Sequence, residues 1–343
     1  MQERIPWLDA LRGIGVFLVV LGHAPITPSL SFFIYLFHLP LFFFVSGCLF
    51  NAPQGQSCGS FLKKKFNSLL VPYAWFSLLS IAALLLRPMV RGTLGPVPIE
   101  PILESFFFAR RNHIVYNAAL WFLPCLFLVE SFFCLLQVYV TDIRLAGLVV
   151  LVLSGASFVA FDTPSTARPL MWAFDGALYY GIFFLLGQLH RKYAGGIRGK
   201  YLRGVVLAGS VFVCMSILFL PGVKAMLLEY RFSSSAACSY FFSILLACSG
   251  IVTCLFIATV LSRSALLRYL GRNSLVIFGL HLPIGFVVVN KADSLLHLRD
   301  GIGSVNVHGL LYAASAIAVL VPVAHVINRR ARFMLGRRGQ AGG

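Results

Sequence analysis

The sequence predicts an all-α, polytopic transmembrane helical bundle of about ten spans with both termini cytoplasmic, forming a single membrane domain over residues 1–343. Three observations predict it. Of 343 residues, 59% are hydrophobic and 11% are charged, against roughly 25% charged in a soluble domain, and the mean hydropathy is +0.87. The apolar residues fall into runs of ~20, the length that crosses a hydrocarbon core as a helix. The basic residues sit in short clusters between those runs, as cytoplasmic loop anchors do. The net charge of +17 is therefore that of a protein whose partner is the lipid bilayer, and nucleic acid is set aside as a partner.

The first span, near 8–25, is interrupted by Asp9 and Arg12 and has no small-residue cleavage site after it. It is read as a retained helix and not as a cleaved signal peptide. The second, near 32–51, is rich in aromatics and contains His38, Pro40, Ser46 and Gly47. Pro40 kinks it, and Ser46-Gly47 either allows close helix approach or exposes a hydroxyl. Further spans follow near 69–86, 117–139, 145–161, 170–189, 204–221 and 238–261. The ninth, near 271–290, contains NSLVIFGLHLPI, and the tenth lies near 307–328.

The longest connection, residues 87–116, holds Pro88, Pro96, Pro98 and Pro101. It is either part of an acceptor site or a surface connector with a short interfacial helix. Of eight cysteines all but Cys58 lie in apolar runs, and none forms C-x-x-C, so packing is the default role. With the N-terminus inside, 19 of the 28 Lys and Arg residues face the cytoplasm. The positive-inside rule supports that arrangement, and an odd number of spans would break it.

Arg12 and His23 are eleven residues apart, about three helical turns, so they share one face ~16 Å apart along the axis. Asp9, three residues before Arg12, joins that stripe. Charges inside a membrane usually face a partner or a cavity. Arg12 either snorkels to the headgroups or serves a site, and Asp9 is either its i,i+3 ion-pair partner or part of that site. His23, just before Pro25 and Pro28, either packs or transfers protons. His38-Leu39-Pro40 and His281-Leu282-Pro283 repeat one pattern, which suggests kinked helices lining a common polar interior. Neither histidine has a carboxylate one helical turn away, so no metal is expected.

RIPWLDALRGIGVFLVVLGHA resembles the opening signature of the membrane-bound acyltransferase 3 family, with its Arg, ten residues, His arrangement. FHLPLFFFVSGCLF is similar to that family's second-span motif and FLKKKFNSLLVPY to its basic inner loop. ALWFLPCLFLVE resembles its Trp-Phe-Leu segment, as in the branch of fucose 4-O-acetylases, and LGRNSLVIFGLHLPI its late His-x-Pro segment. The resemblance runs in family order over nearly the whole chain. It implies transfer of an acyl group, usually acetyl from acetyl-CoA, to a hydroxyl of a cell-surface glycan or lipid-linked sugar, in the bacterial inner membrane.

It also implies His23 as the catalytic base and Arg12 as an essential cation. Asp9, Ser46, His38, Trp121, Asn273, Ser274 and His281 are the expected supporting residues. Acetyl-CoA is expected to dock from the cytoplasm on Arg12, Lys63, Lys64 and Lys65. Ser68 stands where family members often carry a basic residue. The oxyanion donor is Ser46, a backbone amide at the Pro25 break, or Arg12. Two rivals remain. One is a transporter or flippase for a lipid-linked sugar, for which no internal repeat speaks; the other is an O-succinyltransferase or longer-chain acyltransferase using the same site.

Overall fold

A computed structural model describes residues 5–51, 57–91, 98–161, 169–193, 200–219, 235–296 and 304–336. Residues 220–221 of the seventh expected span, Pro96 of the long connection, and Arg4, Arg198, Arg337 and Arg338 of the charge pattern lie outside them. Among the described residues the chain is helical, with no strand.

The helices are α1 (Pro6–His23), α2 (Pro28–Leu49), α3 (Cys58–Lys65), α4 (Val71–Arg91), α5 (Ile99–Phe108), α6 (Phe122–Tyr139) and α7 (Ile143–Phe161). They continue with α8 (Phe174–Tyr193), α9 (Lys200–Phe219), α10 (Ala236–Val260), α11 (Ala265–Arg272), α12 (Ser274–Leu280), α13 (Val287–Leu296) and α14 (Val305–Arg330). Two π-helical turns, Phe66–Leu70 and His281–Phe286, join α3 to α4 and α12 to α13.

Eight of these segments are long and apolar enough to cross a membrane, among them Cys58–Leu86 and Ser274–Leu295, each continuous through its π turn. The other two expected spans correspond to α8, which ends in His190, Arg191 and Lys192, and α9. Helix α5 exposes Ile99, Leu103 and Phe107, as a helix lying at an interface does.

Proline and glycine placement explains much of the local structure. Pro6 and Pro28 each open a helix at a first-turn position, where a missing N–H costs nothing. Pro283 lies inside the second π turn, a wider ladder that tolerates the lost donor within a continuous span. Helix α1 is at the centre, packed on α11, α2, α10, α12 and α14, while α2 is clamped between α1 and α8. The core is aromatic: Phe43, Phe76, Phe133, Phe183 and Phe184 are fully buried, and Phe43 stacks on Tyr180 at 4.6 Å. Large apolar residues on α7, α10 and α14, such as Leu148, Leu245 and Leu311, face outward. Apolar surface on that scale is what a bilayer covers.

Candidate active site

Because α1 runs unbroken from Pro6 to His23, Arg12 and His23 sit on one rod ~16 Å apart. Each end of that rod has its own neighbourhood.

At the Arg12 end, α11 lies backbone to backbone against α1. A Cβ on Gly271 would fall 1.8 Å from the Asp9 carbonyl oxygen, and one on Gly13 would fall 2.1 Å from that of Leu267. Only glycine permits such an approach. It brings Arg272 to Asp9, with Nε 3.3 Å from Oδ2; Asp9 thus pairs across 263 residues of sequence, and not with Arg12 one turn away.

Around this contact opens a cavity of about 900 Å³. Arg12, Arg191, Arg272, Arg329 and Arg332 line it, with His325, Asn273 and Asn328, and Asp9 is the one carboxylate among its lining residues. Arg191 Nη1 donates to the Cys48 carbonyl (3.0 Å) and Arg332 Nε to that of Asn328 (2.6 Å). Asn328 Nδ2 donates to Asn273 Oδ1 (2.8 Å), and Asn273 Nδ2 to the Tyr269 carbonyl (2.9 Å). Arg12 has no hydrogen bond or ion pair among the described residues. Ile5 and Arg332 both border this cavity, so the two ends of the described chain meet at one end of the bundle.

Arg12 also borders a second cavity of about 230 Å³, lined by Ser46, Lys65, Ser68, Glu130 and Ser274 with Phe42, Phe122 and Phe278. Lys65 Nζ bonds Glu130 Oε1 at 2.9 Å, with the Glu130 side chain only 6% exposed. Lys63 and Lys64 are exposed and line neither cavity. Trp121 is buried, stacked on Tyr180 at 6.3 Å, and likewise lines neither.

At the other end three histidines and a tyrosine gather. The His23 and His281 rings are 5.2 Å apart, Tyr35 Oη is 3.5 Å from His23 Nδ1, and the Tyr35 and His38 rings are 4.8 Å apart. His281 Nδ1 lies 2.7 Å from the Phe278 carbonyl and His38 Nδ1 2.9 Å from that of Ile34. A carbonyl only accepts, so both Nδ1 atoms are donors, and in the neutral ring Nε2 carries the lone pair. His281 is fully buried and its Nε2 has no hydrogen-bond partner. It stands at the start of the π turn, the kind of bulge that re-aims a side chain. His23 does not border either cavity at the Arg12 end. Among the described residues no three His, Cys, Asp or Glu side chains converge as metal ligands.

Fold and site together define a polytopic helical membrane protein with an arginine-lined cavity at one end of its first helix and a histidine cluster at the other. The family model described as an acyltransferase domain, acyltransferase 3, matches residues 5–329, and the chain belongs to that family. No curated protein and no solved structure matched the chain. Membrane acyltransferase activity is thereby supported in general terms.

Sequence reasoning missed Arg191, Arg272, Arg329 and Arg332, which it counted as loop anchors, and Tyr35, one of many aromatics in α2. Glu130 was legible in principle, being the sole carboxylate in the apolar run of α6.

Proposed function

We propose that the protein transfers an acetyl group from acetyl-CoA to a hydroxyl of a cell-surface or lipid-linked glycan, with His23 as general base. One observation carries this reading: a single rigid helix holds, in a basic cavity at one end, an arginine with no ion pair among the described residues, and a histidine within a polar cluster at the other. Coenzyme A is a polyanion, and five arginines converging on about 900 Å³ suit its phosphates. At an effective dielectric near 20 each close phosphate contact is worth ~4 kcal/mol before desolvation. The donor charge is thus assigned to Arg12 with Arg191, Arg272, Arg329 and Arg332, in preference to the exposed Lys63 and Lys64. Ser46 and Ser274, next to Arg12 in the second cavity, offer hydroxyls along the route of the acyl arm.

In the transfer step the acceptor oxygen attacks the acetyl carbonyl carbon, His23 takes the hydroxyl proton, and the carbon–sulfur bond breaks. The proton then passes to the departing thiolate. His281 presents an Nε2 acceptor with no hydrogen-bond partner among the described residues, and the His23 tautomer protonated on Nε2 is the one whose proton that acceptor, its ring 5.2 Å away, would attract. That leaves Nδ1, the atom beside Tyr35, free to act as the base. His38, buried and tied to Ile34, packs on Tyr35 and fixes its ring. The resemblance to fucose 4-O-acetylases makes a deoxyhexose a first acceptor to try.

The test is surface-glycan acetylation in cells carrying wild type, His23→Ala or Arg12→Ala at matched membrane abundance. His23→Ala is expected to lose ~10²–10⁴-fold in rate. Full transfer by His23→Ala would refute the general-base assignment. Glycan export that fails on deletion while acetylation persists would favour the transporter, and faster transfer from succinyl-CoA would change the donor.

A further inference from the structure

A third cavity of about 200 Å³ lies beside the histidine cluster, walled by Tyr35 of α2, Phe158 of α7, Tyr179 and Tyr180 of α8, and the pair Arg111–Asp175. Tyr35 joins it to the proposed base, since the same residue borders this cavity and places its hydroxyl 3.5 Å from His23 Nδ1. Asp175 has a side chain 1% exposed, with Oδ2 3.1 Å from Arg111 Nη2. Its Oδ1 accepts from the Leu170 amide at 3.1 Å, whereas Oδ2 has no aligned hydrogen bond among the described residues. A carboxylate oxygen so deeply buried retains a strong capacity to accept.

The local backbone is shaped to present it. Trp172 and Ala173 both have left-handed φ, 56° and 51°, a strained conformation for a non-glycine residue. The Trp172 indole donates to the Phe107 carbonyl at 2.9 Å, which helps to hold the turn Met171–Ala173 that leads into α8 just before Asp175. Arg111 comes from the connection 87–116 and Asp175 from the first turn of α8, so the pair joins two distant segments at the cavity.

Resting on the acyl-transfer reading above, we infer that this cavity is the acceptor subsite and takes one uncharged pyranose ring. Aromatic faces cover the C–H face of a sugar, and a fixed carboxylate–guanidinium pair accepts from and donates to its hydroxyls. The two charges cancel, and among the described residues no other charged residue borders the cavity. A uronic or sialic carboxylate therefore finds no free cation among the described residues, whereas a neutral ring satisfies the pair. Seating the ring displaces the Tyr35 hydroxyl from His23 Nδ1 and brings a sugar hydroxyl into its place.

The experiment uses the full chain in nanodiscs with acetyl-labelled acetyl-CoA and three probes: methyl glucopyranoside, methyl fucopyranoside and methyl glucuronide. Wild type is expected to acetylate at least one neutral glycoside with kcat/KM about tenfold or more above the glucuronide. Ser243→Phe, which fills the cavity from α10 and leaves both charged residues in place, is expected to raise acceptor KM at least tenfold while acetyl-CoA binding is kept. Asp175→Asn, which removes the negative charge opposite Arg111, is expected to shift preference toward the glucuronide, an effect that loss of structure alone would not produce. Wild-type acceptor KM in Ser243→Phe, or equal use of glucuronide by wild type, overturns the subsite. Acetyl-CoA binding with transfer to no saccharide overturns instead the glycan-acylation reading on which it rests.

Discussion

Gly271→Ala tests whether the backbone contact between α1 and α11 sets the donor cavity. The new Cβ would fall 1.8 Å from the Asp9 carbonyl oxygen, and separations under 3.0 Å are essentially never seen for a real Cβ. The obstacle is backbone on both sides, so no side chain can swing away, and α11 must retreat by at least about 1.2 Å, the difference between those two distances. Arg272 and Asn273 travel with it, and both line the cavity with Arg12.

Overpacking of this kind costs ~1–3 kcal/mol, and an ångström of misplacement in a site costs about 10²-fold. The expected result is a fall in the thermal midpoint of several degrees and a rise of tenfold or more in the acetyl-CoA concentration for half-saturation, with acceptor KM little changed. Gly209→Ala is the matched control, since nothing lies within 4 Å of its added Cβ. A helix gains ~1 kcal/mol from that change, so stability should hold or rise. If the two variants behaved alike in both assays, the close approach would have no part in shaping the donor site.

Other consequences are open to measurement. Arg12→Lys should keep part of the acetyl-CoA affinity and Arg12→Ala should lose about tenfold or more; equal behaviour of the two with wild type would remove Arg12 from donor binding. Raising salt from about 0.1 to 1 M shortens the screening length from ~10 to ~3 Å, so acetyl-CoA half-saturation should rise several-fold, and a salt-independent value would count against the arginine cavity. Lys65→Met strands Glu130, and breaking a buried pair costs ~3–5 kcal/mol; the double variant Lys65→Met/Glu130→Gln should be more stable than the single one in thermal unfolding. His281→Phe should lower kcat by about 10²-fold, the smaller end of general-base contributions, with acetyl-CoA half-saturation retained. A shift in both parameters would mark His281 as structural instead.

The bundle itself was legible because apolar run length and loop charge act locally, and a span declares itself whatever it packs against. The Arg12–His23 phase and the pairing of two His-x-Pro sites were equally local, and the structure does bring His281 to His23. What stayed hidden depends on contacts between distant segments. Asp9 finds Arg272 and not Arg12, because Gly13 and Gly271 let α11 come closer to α1 than helical spacing alone foretells. Lys65 was read by its loop, but its partner Glu130 lies on α6. The sequence predicts a kink at Pro283, and the chain takes a π turn there instead, since the lost donor fits either. The strained turn at Trp172 had no marker, as neither Trp172 nor Ala173 is a residue that favours left-handed φ.

The unbroken α1 also acts as a ruler. Its ends cannot approach each other without breaking the helix, so a donor anchored at Arg12 reaches His23 only if its arm spans ~16 Å. Donor analogues with a shortened arm between diphosphate and thioester should therefore bind as firmly as the parent and yet deliver nothing, and an arm of restored length should recover transfer whatever its chemistry.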